Sequence, residues 1–295
     1  MKLFRTPATP GSVTVIPQVR LASRLRAVAS AVDLYREAEK PVEIVWFESE
    51  DFNAPHERLF TLSPKYVPPH ITLREGRWYE RLTNDLPGKN NLYASAPFVF
   101  VRYDLVLRGE RERLRDVPGK DWRADLLTLS SKPGERVLLS ADSSISVKSY
   151  LIYRYLEPTV EVLGVRNSRM SGWGSNVVGI HLSRPRGQES FAESPTELYI
   201  RRMQRMIEED PTTTFFLATT DDDEQERLQT IFRNRVFAFR SISEPGSPES
   251  IIEAFGELLA LSSTRMILTT PHSTFSEVAA EMGHIPVEQL SLFNL

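Results

Sequence analysis

Three times between Asn176 and Ala280 a short apolar run ends in a turn of charged or hydroxyl residues, and a helix pattern follows. The runs are residues 177–180, 214–218 and 266–268. The turns are His181-Leu182-Ser183-Arg184-Pro185-Arg186, Thr219-Thr220-Asp221-Asp222-Asp223 and Pro271-His272-Ser273-Thr274-Phe275-Ser276. Parallel strands covered by helices on both faces read as such short, wholly apolar runs. Strands alternating with helices predict a parallel, doubly wound sheet. Its turns gather outside the carboxyl ends of the strands, where ligands bind. Basic, acidic and hydroxyl side chains then converge, a combination suited to a phosphorylated, polyhydroxylated ligand.

Local signals place the helices. Ser194-Pro195-Thr196-Glu197 combines an N-cap serine, a proline at the first helical position and a capping-box glutamate. Ser247-Pro248-Glu249 opens another helix, with Ile251, Ile252, Phe255, Leu258 and Leu259 on its buried side. Gly283 is expected just past the end of the last helix. The N-terminal half repeats the pattern. Val13-Thr14-Val15-Ile16 is a strand, and Leu21, Leu25, Val28, Val32 and Tyr35 form the apolar stripe of an amphipathic helix. Residues 42–47 form the next strand, and residues 98–101 and 136–139 are read as later ones. Residues 61–89, rich in proline and charge, are read as irregular, and residues 158–175, with Gly164, Gly172 and Gly174, as a hinge. Two Rossmann-like domains are therefore expected, at 1–165 and 166–295.

Composition narrows the class. The chain has 295 residues, enough for two ordinary domains. A net charge of −3 gives no basic field to recruit nucleic acid or an anionic membrane. No apolar run approaches the roughly 20 residues of a membrane span, and no signal-peptide pattern opens the sequence. Cysteine is absent, which excludes disulfides, thiolate metal sites and cysteine nucleophiles and fits a cytoplasmic protein. Nothing in the sequence bears on oligomeric state.

Three separated segments resemble the superfamily of α-1,6-fucosyltransferases and protein O-fucosyltransferases, especially its small bacterial members. Residues 20–26, Arg-Leu-Ala-Ser-Arg-Leu-Arg, are similar to the family's Gly-Leu-Gly-Asn-Arg-Leu-Arg helix start; Val45-Trp46 and residues 53–60 follow. Residues 178–184 are similar to a strand ending His-x-Arg-Arg. The third segment runs from residues 215–219 through Leu261-Ser262 to residues 273–280. The resemblance implies a GT-B-like fold of two facing Rossmann-like domains with mainly parallel sheets, the first on the acceptor side and the second binding the nucleotide sugar. It implies inverting transfer from GDP-fucose or another GDP-sugar to a glycan or other hydroxyl acceptor, with no cofactor and no metal. By position it implies nucleotide-sugar contacts at Arg24, His181, Ser183, Thr219, Asp221, Glu257, Ser273 and Thr274.

The sequence also departs from the family. The family's two loop glycines fall on Arg20 and Ala22, and its diphosphate-binding arginine falls on Ser183. The acidic residue beyond its second arginine falls on Arg186. The first aspartate of its Ala-Thr-Asp-Asp falls on Thr220, the second on Asp221, and an aspartate that reads guanine falls on Glu257.

Each constellation carries two readings. His181 is either a core histidine satisfied by backbone or a contact to the base or ribose. Arg184 and Arg186 are either a solvated pair or a cationic clamp that stabilises the departing diphosphate. Asp221-Asp222-Asp223 contains the Asp-x-Asp of metal-dependent glycosyltransferases, but carboxylates in a first turn also satisfy free N–H groups and the helix dipole, the reading preferred here. Ser273 and Thr274 cap a helix or hold a phosphate at its N-terminus, and the two are compatible. A proton acceptor is sought at Glu189 or Glu193, with His56 and His272 behind them. The leading function is glycosyl transfer. The alternative is a catalytically impaired nucleotide-sugar or glycan-binding protein on the same fold, and a third reading is an unrelated α/β enzyme acting on phosphorylated sugars.

Overall fold

A computed structural model describes residues 11–38, 40–84, 99–108, 127–128, 134–141, 145, 150–183 and 193–294. The chain divides into two compact units: Met1–Thr159 with Gly246–Pro248, and Val160–Pro245 with Glu249–Leu295.

The first unit holds β1 (Val13–Pro17), α1 (Leu21–Tyr35), β2 (Val42–Trp46), α2 (His56–Leu59), β3 (Phe60–Leu62), β4 (Ile71–Glu75), α3 (Val99–Arg102), β5 (Leu105–Arg108), β6 (Val137–Ala141) and β7 (Leu156–Pro158). Five strands form a parallel sheet in the order β4-β2-β1-β6-β5, and β3 pairs antiparallel with β7. Three sequence expectations change here. Residues 61–89 are not wholly irregular, because β4 lies within them. β4 is an edge strand, so it carries Thr72 and Arg74 rather than an apolar run, and Arg74 bonds Glu43 at 2.7 Å and Glu80 at 2.7 Å. Residues 99–102 form a helical turn, not a strand, with Val99 packed beside Ile16, Val45, Phe47, Tyr103 and Leu138. Helix α1 is buried all round except at Asp33, rather than amphipathic. Its outer side is covered: the Ser30 hydroxyl accepts from the Ile145 N–H at 2.9 Å, and Tyr155 reaches Asp33 at 3.3 Å.

The second unit begins with α4 (Val160–Arg169), a helix inside the stretch read as a hinge. Glu161 in its first turn and Arg166 and Arg169 in its last suit the helix dipole. There follow β8 (Val177–Leu182), α5 (Thr196–Glu209), β9 (Thr214–Thr219), α6 (Asp222–Phe232), β10 (Val236–Ala238), α7 (Pro248–Leu261), β11 (Ile267–Thr269), α8 (Thr274–Gly283) and β12 (Val287–Gln289). All five strands are parallel, in the order β10-β9-β8-β11-β12. The chain builds outward from β8 to β10, then returns to the other side of β8 with β11. That reversal is a topological switch point.

Pro248 opens α7 as expected. Helix α5 begins one residue late: Ser194 is not its cap but is buried, bonding the Tyr199 hydroxyl at 3.3 Å. Gly283 lies inside α8, and His284 takes the left-handed cap position at φ 51°. A Cβ on Gly283 would sit 2.0 Å from the Ser262 carbonyl oxygen, so close approach, not capping, demands glycine there.

Candidate functional site

The switch point of the second unit lies between β8 and β11, where His181 and Thr269 are register partners. Beyond β11 the chain turns through His272, a non-glycine residue at φ 59°. Such left-handed residues store strain and cluster at functional turns. The turn delivers Ser273 as the N-cap of α8, where its hydroxyl accepts from the Ser276 N–H at 3.4 Å.

Five side chains converge there. His181 Nδ1 lies 3.0 Å from Ser273 Oγ and 2.7 Å from Ser276 Oγ. Ser276 Oγ lies 2.6 Å from Thr269 Oγ1. The Phe275 ring stacks on His181, with centroids 4.9 Å apart and planes at 28°. Burial pushes His181 down to about 4, so the ring is neutral near pH 7. A hydroxyl donating to Nδ1 puts the ring proton on Nε2, and an Nδ1–H donating to a hydroxyl leaves Nε2 an acceptor; the contacts accommodate either tautomer. Among the described residues Nε2 has no hydrogen-bond partner. The network therefore presents a held, uncharged imidazole edge beside a helix N-terminus. It suits a ribose hydroxyl, a base carbonyl or a phosphate oxygen. Ser273 is the helix cap that one of its sequence readings expects, and its hydroxyl also contacts His181. Thr274 is the first residue of α8 and half-buried.

The other expected residues fall elsewhere or serve the fold. The Thr219 hydroxyl donates to the Leu182 carbonyl at 2.8 Å, tying β9 to β8, and accepts from the Asp221 N–H at 3.2 Å. Asp221 caps α6, accepting from the N–H groups of Asp223 and Glu224 at 3.1 Å each. Among the described residues no three His, Cys, Asp or Glu side chains group as metal ligands would. Glu257 pairs with Arg169 of α4 at 3.5 Å, and Arg169 stacks on Phe239 at 4.6 Å. Burial pushes the Glu257 carboxyl up to about 7 despite that cation. Ser183 follows β8, half-buried. Arg184, Arg186 and Glu189 lie outside the described residues.

Arg24, expected at the nucleotide sugar, is fully buried in the first unit. Its Nε donates to the Val19 carbonyl at 2.9 Å and its Nη1 to the Phe47 carbonyl at 2.6 Å. The guanidinium lies 4.2 Å from the centroid of Phe52 and 5.1 Å from that of Trp46. Burial lowers it to about 9. Arg24 thus pins the turn between β1 and α1, where Val19 sits at φ 70°.

Two features were missed. Ser276 stands three residues after Ser273 in a helix start, a spacing that puts both hydroxyls on one face. Glu75 ends β4, where its register partner is Trp46. It accepts from the His56 N–H at 2.7 Å, and burial chiefly pushes its carboxyl up to about 7. It escaped notice because its strand did.

No protein-family model matches the sequence, and no curated protein matches it significantly. Solved structures match over nearly the whole chain. NodZ alpha-1,6-fucosyltransferase soaked with GDP-fucose is 16% identical, with a TM-score of 0.60, over 95% of this chain and 96% of that one. Fucosyltransferase NodZ from Bradyrhizobium is 17% identical, with a TM-score of 0.57, over 94% and 95%. POFUT1 in complex with GDP is 11% identical, with a TM-score of 0.55, over 95% and 99%. The shared fold is GT-B-like: two Rossmann-like units with mainly parallel sheets.

Proposed function

We propose that this chain is a fucosyltransferase-like glycosyltransferase that takes a GDP-linked sugar and transfers it, with inversion, to a hydroxyl acceptor. The observation that carries the proposal is the His181–Ser273–Ser276 network at a switch point, on a fold shared full-length with enzymes solved with GDP and GDP-fucose. His181 Nε2 and the α8 N-terminus hold the nucleotide, and the first unit serves the acceptor. Arg184 and Arg186 neutralise charge on the departing GDP, and Glu189 takes the acceptor proton. Asp221 acts as a helix cap, so binding needs no divalent ion. No helix among the described residues is long and apolar enough to cross a membrane, and we place the protein in the cytoplasm.

One observation favours a second reading, a binding protein that has lost the chemistry. Ser183 stands where the resembling family has arginine, and a short neutral hydroxyl cannot replace a guanidinium. Titration calorimetry with GDP, UDP, GDP-fucose and GDP-mannose, followed by a transfer assay on wild type and Ser183→Arg, separates the two. Tight GDP binding with turnover supports the transferase. GDP binding with turnover only in Ser183→Arg supports the binding protein. Absence of nucleotide binding removes the transferase and the nucleotide-sugar-binding form of the second reading, leaving glycan binding.

A further inference from the structure

The hydroxyls at His181 Nδ1 fit either tautomer, and the choice passes to the groups behind them. Thr269 stands beside His181 on the neighbouring strand, as its register partner. Thr269, Thr270 and Ser276 are all buried. A single file of contacts leads inward from the ring. Nδ1 lies 2.7 Å from Ser276 Oγ, and Ser276 Oγ lies 2.6 Å from Thr269 Oγ1. The Thr269 hydroxyl donates to the Thr270 carbonyl at 3.2 Å. Among the described residues that carbonyl has no other donor. Phe275, stacked on the imidazole, keeps the ring plane in line with the file.

The far end of the file fixes its sense. A carbonyl only accepts, and a hydroxyl has one proton to give. Thr269 commits its proton to Thr270. Ser276 then has two acceptors for its own proton, Thr269 Oγ1 at 2.6 Å and Ser273 Oγ at 3.1 Å. Either one draws that proton away from the ring. The 2.7 Å contact to Nδ1 is therefore filled from the ring side, because two facing lone pairs at that distance would repel. Running the file the other way strips a buried carbonyl of its donor, and an unmet buried acceptor bears its full desolvation penalty.

We propose that Thr269 and Ser276 are positioning residues that set the tautomer of His181, with the ring proton on Nδ1 and the Nε2 lone pair offered to a ligand group that donates, a ribose hydroxyl or a base N–H. Phosphate oxygens and base carbonyls only accept, so they do not suit that nitrogen. The identity of the ligand rests on the nucleotide reading of this edge; the tautomer rests on the contacts within the second unit alone.

The test begins with imidazole nitrogen NMR spectra of the full chain without nucleotide, near pH 7. His181→Phe identifies the His181 signals among the five histidines. Wild type is expected to show a protonated Nδ1 and a bare Nε2. A protonated Nε2 with a bare Nδ1 overturns the proposal. Thr269→Val keeps the side-chain shape without the hydroxyl and should abolish the single tautomer, and Thr269→Ser should restore it. Ser276→Ala should act as Thr269→Val does, and it serves if Thr269→Val fails to fold. A wild-type tautomer in the folded hydroxyl-deleted variants overturns the positioning role, because a merely structural loss would lower the melting temperature and leave these spectra alone. In calorimetry Thr269→Val should weaken GDP binding about ten-fold. A penalty that vanishes with 2′-deoxy- or 3′-deoxy-GDP assigns the ribose hydroxyl, and one that persists with both assigns the base N–H. GDP affinity unchanged by Thr269→Val overturns the ligand assignment. If wild type binds no GDP, the transferase reading falls while the spectra still decide the tautomer.

Discussion

His181 Nδ1 and Ser273 Oγ, 3.0 Å apart, join the end of β8 to the start of α8 across the switch point of the second sheet. One hydroxyl thereby caps a helix and orients an imidazole. Removing it affects folding and binding differently, and the two effects are separable.

Ser273→Ala should cost about 1 kcal/mol of stability through the lost cap. It should weaken GDP binding by about 1–3 kcal/mol, because His181 loses a partner that holds its ring. Arg184→Ala should weaken GDP binding similarly, and Ser183→Ala should change little. Thermal melts and calorimetry measure both quantities. Identical GDP affinity in all three variants and wild type would refute the assignment of this edge to the nucleotide.

His181 titrates at about 4 in the fold, below its ordinary 6.5. The unfolded chain therefore binds a proton first as pH falls. Above 6.5 both states are neutral and nothing is lost. Between 6.5 and about 4 stability should drop, by up to about 3 kcal/mol. Denaturant midpoints of wild type and His181→Phe across that window should diverge, with only the wild type carrying this contribution.

Glu257 has the opposite sign. Its carboxyl is raised to about 7 by burial, so the fold holds the proton more tightly than the unfolded chain does. Stability from this group should fall as pH rises from about 4.5 to 7. Glu257→Gln should therefore stabilise the protein at pH 8, by up to about 3 kcal/mol, and make no difference at pH 4. Equal pH profiles for the two proteins would show that Arg169 compensates the charge fully.

Arg24→Met should lower stability by several kcal/mol, on the order of 1–3 for each of the two carbonyls, one buried and one partly buried, that it leaves unpaired. GDP affinity of the folded fraction should not change. A selective loss of GDP binding with an unchanged melt would return Arg24 to the ligand.

Residues 13–16, 42–46, 177–180 and 214–218 announce their strands because a parallel strand covered on both faces is dominated by apolar side chains. Pro248 and Ser273 announce helix starts because those conformations suit few residues. His181 and Ser273 could be assigned to one edge from the sequence, since a strand's end and a helix's start fix where each side chain emerges. The rest depended on tertiary context. Strand β4 was illegible because an edge strand tolerates Arg74 once Glu43 and Glu80 neutralise it. Arg24 reads as a free cation until the fold closes Trp46, Phe52 and two carbonyls around it. Glu75 is an ordinary glutamate in sequence and becomes distinct only where burial and neighbouring carboxylates raise its proton affinity. Local pattern determined which elements form and in what order. Which charges are buried, and against what, was decided by long-range packing, because desolvation depends on neighbours remote in the chain.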